Sequence, residues 1–380
     1  MKDHEMPKYS ANMNEKERKE YVNAYTTSLK LPGKMRIGAP QDYVGAVMAL
    51  SGTLFFRWGW TDEKRAAICR CFDKYKEVAG DEIEWVRSEE SPDEKDIQPY
   101  KGSKSLDQLY SERDADSIIV RQYKGGRNFK DASAYSFYIG TTPKWEAELA
   151  EKHSEDGCDV LCFSLPAEFI IKRPNLLQEL MLFFSQQLSP CHGFGGLRLE
   201  LSPEKLDNEP TEAWMAQQCN GIVVGSDYMA AASLNLEKIK TISWLTVVGR
   251  ELLLQHSDTW LRSELPPSWF AFYKYDAGLI IQAGNTPEIA HIPDNAFPAT
   301  YVLSNMVFKP YRTEFCHIHH NTQRTQLVTG SPAVELWLSR FDVPDNQLIE
   351  YKHKLTQMPV LKKKHVLYDA VDPHFQHLYR

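Results

Sequence analysis

The sequence predicts an α+β protein of mixed α/β character, an antiparallel-rich sheet with helices packed against it. Three observations carry this expectation. Leu197, Leu199 and Leu201 alternate with Arg198 and Glu200 behind Gly195-Gly196, a period of two with one apolar and one charged face, as in a half-buried strand. A helix-period segment from Leu176 to Leu188 precedes it, and a second helix is predicted from Thr211, a polar cap residue before Glu212-Ala213-Trp214. Trp269 to Tyr273 and Leu279 to Gln282 read as a hairpin turning at Asp276-Ala277-Gly278, which joins antiparallel neighbours.

Taken in order, residues 1–34 make a charged N-terminal arm around Glu15-Lys16-Glu17-Arg18-Lys19-Glu20. Opposite charges four apart fit a helix there, and a frayed tail fits equally well. Tyr43 to Trp58 reads as a long buried strand or strand pair. Thr61-Asp62-Glu63 opens a helix that carries Ala66, Ala67, Ile68, Cys71, Phe72 and Tyr75 and ends near Gly80. From Arg87 to Asp116 carboxylates outnumber basic residues, and Pro92, Pro99 and Gly102 interrupt any period. This predicts an acidic surface loop with room for a short helix. Ile118 to Val120, Tyr135 to Ile139 and Cys158 to Leu165 read as strands, the first two joined across Gly125-Gly126. Pro174 introduces the Leu176 helix, and Pro203 ends the central strand because it has no N–H for the ladder. Ile242 to Val248 and Tyr301 to Phe308 read as further strands, and Val334 to Phe341 as a short helix. Lys352, Lys354, Lys362, Lys363 and Lys364 form a basic patch near the C-terminus.

The totals bound the function. A chain of 380 residues with 42% apolar and 25% charged residues is ordinary for a soluble globular protein. A formal charge of -7 gives no reason to expect nucleic acid as a direct partner and suits a basic protein partner better. Met1-Lys2-Asp3-His4-Glu5 has no apolar run behind it, so no secretory signal is expected. The Tyr43–Phe56 run is too short and too interrupted for a membrane span. Seven cysteines without a compact framework point to reduced thiols and a cytoplasmic location.

Catalytic motifs are scarce. There is no G-x-S-x-G elbow, no phosphate-binding loop and no dinucleotide fingerprint. His192-Gly193-Phe194-Gly195-Gly196 is therefore expected to be a turn into the central strand, its glycines supplying positive φ. Pro92-Asp93-Glu94-Lys95 places its charges side by side in a loop, whereas a metal-dependent nuclease needs carboxylates on separated strands. Cys316, His317, His319 and His320 carry the alternative function, an uncharacterised metal-dependent enzyme, since cysteine and neutral histidine ligate zinc. On a strand these four divide between two faces, and no second ligand pair at C-x₂₋₄-C spacing accompanies them. No metal or other cofactor is expected. Tryptophans beside carboxylates look instead like anchors for a basic partner, which makes Trp58, Trp60, Glu82, Glu84, Trp85, Glu89 and Glu90 the candidate protein-binding residues.

Several segments together resemble the TsiV-like immunity family of type VI secretion systems. They are Gly195 to Pro203, Ile242-Ser243-Trp244-Leu245-Thr246-Val247-Val248-Gly249, Leu279-Ile280-Ile281-Gln282-Ala283-Gly284, and Tyr301 followed by Lys309-Pro310-Tyr311-Arg312. Arg36-Ile37-Gly38 and the Tyr43–Phe56 strand fit its opening. Cys219-Asn220-Gly221-Ile222-Val223 departs from the proline-glycine-leucine-aspartate-like segment expected there. The resemblance implies an immunity domain over 35–315, with 316–380 as a C-terminal extension packed on or flanking it. It also implies the activity: a non-enzymatic cytoplasmic immunity protein in bacterial competition. Such a protein binds a cognate effector, in this family a VRR-Nuc-type DNase, and occludes its active or DNA-binding site.

Overall fold

The computed structural model describes residues 31–32, 43–88, 97–153, 157–203, 205–231, 234, 237–254, 258–292, 297–313 and 332–379. The strands are β1 Leu31–Pro32, β2 Val44–Phe56, β3 Trp85–Ser88, β4 Ile97–Pro99, β5 Ile119–Lys124 and β6 Ser136–Thr141, then β7 Asp159–Pro166, β8 His192–Leu201, β9 Leu245–Gly249, β10 Phe270–Tyr275 and β11 Gly278–Ala283. They form one 11-stranded sheet in the order β10-β11-β9-β8-β2-β7-β6-β5-β3-β4, with β1 on β2. Every pairing between these strands is antiparallel. The α+β expectation holds.

β2 is the spine. Its 13 residues are all buried, and it lies between β7 and β8. A strand covered on both faces has no reason to alternate, which is why apolar residues dominate both of its faces, interrupted around Ser51-Gly52-Thr53. One face presents Met48, Leu50, Leu54 and Phe56 to the helices Asp62–Ala79 and Leu176–Leu188. Rings fill this layer: Phe72 stacks on Tyr123 at 4.1 Å, Tyr75 meets Phe137 at 5.4 Å, and Phe163 meets Phe184 edge-on at 4.9 Å. Each such contact adds about 0.5–1.5 kcal/mol to the burial itself. Gly52 is what lets the layer close, because a Cβ there would lie 2.4 Å from Phe163 Cε1 and 2.5 Å from Met181 Sδ. On the other face Phe55, Val160 and Phe194 pack under Val223, Ala230, Ala231 and Leu234, around the short helix Asp227–Ala231.

The start and stop signals at Thr61 and Gly80 are used as written. Thr61 caps the Asp62–Ala79 helix by accepting from Lys64 N, and Gly80 ends it at φ 53. Ser105 and Gln108 close a reciprocal capping box on the helix Leu106–Glu112, so the acidic 87–116 segment contains a short helix and the strand β4 as well. The hairpin β10–β11 turns over two residues, with Tyr275 opposite Gly278. The outer edge of β10 is covered by the end of the chain. Leu361 N donates to Ser268 O (2.9 Å), Val371 bridges Tyr273, and Tyr379 Oη donates to Pro267 O (2.9 Å). An edge strand left bare would recruit other strands.

Four readings change. Tyr301 to Phe308 is not a strand but part of the helix Ala299–Phe308, capped by Pro298 and buried almost all round. A helix buried on every side has no amphipathic period, and a short apolar run then looks the same as a buried strand. The helix predicted from Thr211 starts at Lys205 and runs through Pro210 to Gln218. The Ile242 strand begins only at Leu245, since Ile242 to Trp244 form the loop that enters it. Finally, His192 to Gly196 is the first half of β8 rather than a turn, and none of its glycines has positive φ.

Candidate functional site

β2 ends at Phe56, and Arg57-Trp58-Gly59-Trp60 carries the chain to the helix cap Thr61. Trp58 is held at φ 63, a left-handed conformation that is an outlier for so bulky a residue. The bonds around it explain how it persists. Its carbonyl accepts from Thr61 N (2.9 Å) and Thr61 Oγ1 (2.8 Å). The next amide, Gly59 N, donates to Asp159 Oδ2 (2.6 Å), while Thr142 N donates to Asp159 Oδ1 (2.7 Å). Asp159 is the first residue of β7 and pairs with Phe56, so the register of the sheet delivers this carboxylate to the turn. Gly59 is required there, because a Cβ would sit 2.6 Å from Thr141 Cγ2 and 2.8 Å from Asp159 Oδ2. Burial pushes the Asp159 carboxyl up to about 6, against the pull of the two amides and Arg57.

Trp58 stands between two hollows. The larger, about 300 Å³, is lined by Trp58, Ile118, Tyr228 and Ala147, with Glu146 and Glu151 among its acidic groups. The smaller, about 170 Å³, runs from Trp58 to Leu188, Pro190 and Arg250. Trp58, Ile118 and Tyr228 are 51%, 47% and 41% exposed. Large apolar side chains grouped at the mouth of one hollow are the usual mark of a contact surface.

Of the seven residues predicted to bind a partner, the five that are described fall into two groups. Trp58 and Trp60 lie at the Phe56 end of the sheet, where Lys144 Nζ sits 5.3 Å over the half-buried Trp60 ring. The paired ends there are Phe56, Asp159, Thr141 and Ile119. Trp85 pairs with Lys124, at the far end of β5. The two groups are therefore separated by the length of a strand, roughly 17 Å. Trp85 is half-buried and donates through Nε1 to Gly126 O (3.0 Å), which ties down the β5–β6 loop. Glu82 and Glu84 are exposed beside it. Glu89 and Glu90 lie outside the described residues, as do Cys316, His317, His319 and His320. Among the described residues no group of three or more His, Cys, Asp or Glu is placed to hold a metal ion.

A second polar centre gathers around Asp227. Arg198 was expected to face solvent on the charged side of the central strand, yet it is covered. Asp227 accepts from Lys240 Nζ (2.6 Å), from Thr53 Oγ1 (2.8 Å) and from Arg198 Nη1. Burial opposes the charge on Asp227, but Arg198 and Lys240 override it and hold the carboxyl well below the usual range. Burial pushes nearby His192 down to about 4, and its Nδ1–H donates to Val247 O (3.0 Å). The cluster fastens the Asp227 helix to β2 and β8. Its charges face one another, and Arg198 and Asp227 also line a hollow of about 140 Å³ together with Glu200 and Glu212. The only sequence signal was the alternation of charge along β8, which cannot say whether water or Asp227 receives it.

The scaffold is one broad antiparallel sheet closed by helices. It is shared with a solved structure described as "Pseudomonas aeruginosa T6SS protein PA0821", with 31% identity over 93% of this chain and 99% of that one, at a TM-score of 0.83. The family described as "TsiV: Type VI immunity for VRR-NUC" matches residues 67–341, more than half of the chain. The chain belongs to this family of type VI immunity proteins. No protein of curated function matches it. No helix among the described residues is long and apolar enough to cross a membrane.

Proposed function

We propose that this chain protects the cell in which it is made by binding a VRR-Nuc-type effector nuclease and covering its active or DNA-binding site. It does so tightly, without covalent chemistry and without catalysis of its own. The observation that carries this reading is the family match over residues 67–341. The local chemistry is consistent with it. The buried carboxylates Asp159 and Asp227 are engaged by backbone amides and by Arg198 and Lys240, bonds that fasten the turn at Gly59 and the Asp227 helix to the sheet. A formal charge of -7 favours the cationic nuclease as partner over its DNA and speeds their encounter. The site of action is the cytoplasm, where the DNA under attack lies.

The test is rescue and co-purification together. The chain is co-expressed with the effector encoded beside it, survival is scored, and the complex is sought by size exclusion. Survival with a stable complex is the expected result. Survival without any complex would replace occlusion by enzymatic reversal of damage, and no survival would sink the assignment.

A further inference from the structure

We propose that Trp58 is a preset anchor, and that the hollow beside it receives an apolar side chain flanked by lysine or arginine on the nucleic-acid-binding face of the effector's nuclease domain. This rests on the immunity reading above and adds where the contact is made.

Three observations converge on this end of the sheet. The first is conformational. A strained backbone at a bulky residue persists only where its surroundings over-determine it, and such positions concentrate at functional sites. Here Thr61 holds the Trp58 carbonyl and Asp159 holds the following amide, so the half-exposed ring is aimed before any partner arrives. An anchor fixed in advance loses little freedom on binding. The second is shape. Trp58 forms the ridge between hollows of about 300 and about 170 Å³, and Ile118 and Tyr228 extend the larger one as exposed apolar walls. The third is charge. Glu146 and Glu151 line the larger hollow, and the exposed Asp62 and Asp116 lie on the adjoining helix start and loop. A nuclease must neutralise phosphates, so the surface with which it holds DNA is rich in lysine and arginine. The carboxylates gather on the side of the larger hollow, while Lys64 and Arg250 lie on the side of the smaller and Arg57 borders both, so it is the larger hollow and its apolar walls that complement that surface. Glu82, Glu84 and Trp85, at the other end of the sheet, stand apart from this contact.

The experiment uses the full chain and a catalytically inactivated VRR-Nuc domain of the cognate effector, with affinity and rates measured at several salt concentrations. Two variants remove the ring. Trp58→Ala is the ordinary truncation. Trp58→Gly also relieves the left-handed backbone, and its unfolding midpoint is measured beside its affinity so that a loss caused by misfolding is recognised. Both are expected to weaken binding about thirty-fold or more, the loss typical of a hot-spot aromatic, and mainly through faster dissociation. Glu146→Lys with Glu151→Lys is expected to slow association and flatten its salt dependence, whereas Glu84→Lys leaves both unchanged. If the parent binds and Trp58→Gly binds equally well, the anchor is elsewhere and immunity by binding stands. If the parent itself does not bind the domain, the immunity reading fails and this inference falls with it. If the parent is a dimer that Trp58→Gly converts to a monomer of unchanged effector affinity, the ridge serves self-association and the proposal is overturned.

Discussion

Asp159 and His192 titrate in opposite directions, and their effects on stability should nearly cancel. Folding raises the Asp159 carboxyl from 3.8 to about 6 and lowers the His192 imidazole from 6.5 to about 4, burial being the main cause in both cases. Between pH 4 and 6 the folded chain holds the Asp159 proton more tightly than the unfolded chain does, so this group makes stability fall as pH rises. Over nearly the same window the unfolded chain holds the His192 proton more tightly, so that group makes stability rise with pH. A fully one-sided proton gives a slope of about 1.4 kcal/mol per pH unit, and each group spans a little over two units, or about 3 kcal/mol in opposite senses. The parent protein should show a shallow profile across this range. Asp159→Asn removes one arm, and its unfolding free energy should climb by about 1 kcal/mol per pH unit from pH 4.5 to 6. His192→Gln removes the other and should show the reverse slope. Urea unfolding at half-unit pH steps reads this directly. The slope is the diagnostic quantity, because either substitution also changes the absolute stability through its hydrogen bonds. Identical profiles for the parent and both variants would refute the opposed-burial account.

Three further outcomes are expected. Lys240→Met leaves buried Asp227 with Arg198 as its remaining cationic partner and should cost about 3–5 kcal/mol in urea unfolding, and a loss below about 1 kcal/mol would show the cluster to be structurally idle. Gly52→Ala forces a methyl against Phe163 and Met181 and should cost about 1–3 kcal/mol, part of it recovered on adding Met181→Ala, and an unchanged chemical denaturation midpoint would mean the layer is looser than its contacts imply. Lys124, whose ammonium donates to Phe129 O (2.8 Å) and to Asp131 O, is pushed by burial to about 7, so its folded form loses the proton first and stability should rise as pH climbs from 7 towards 10. The neutral amine keeps two donors for those two carbonyls. A Lys124→Met variant whose alkaline profile matches the parent would exclude that assignment.

The parts of the fold legible in the sequence were those decided locally. Thr61 and Gly80 bracket their helix with their own side chain and φ, and the Asp276-Ala277 turn dictates an antiparallel hairpin whatever surrounds it. What could not be read depended on what comes to lie opposite. The Ala299–Phe308 helix is buried on nearly every side, so tertiary contact erased the period that would have identified it. Arg198 looked like a solvent-facing residue because the sequence cannot place Asp227, 29 residues away, over its strand. Likewise Trp58 and Trp85 both sit among acidic residues in the sequence, and only the pairing of β5 with β3 sets them at opposite ends of the sheet. Neighbourhood along the chain does not say which residues share a surface.

The turn at Trp58 connects stability with recognition. Burying a carboxyl at Asp159 disfavours its charge, as its raised titration shows, and a neutral apolar residue would be easier to bury. No apolar residue could accept from both Gly59 N and Thr142 N, and without those bonds the left-handed Trp58 would be held only by the contacts of Thr61 to its carbonyl. The stability given up at Asp159 is therefore the counterpart of an aromatic ring fixed in advance at the rim of the sheet. Asp159→Asn keeps only one acceptor. If the ring serves as an anchor, this variant should bind the nuclease domain more weakly than its change in global stability accounts for, because part of the binding energy must then reorder the turn.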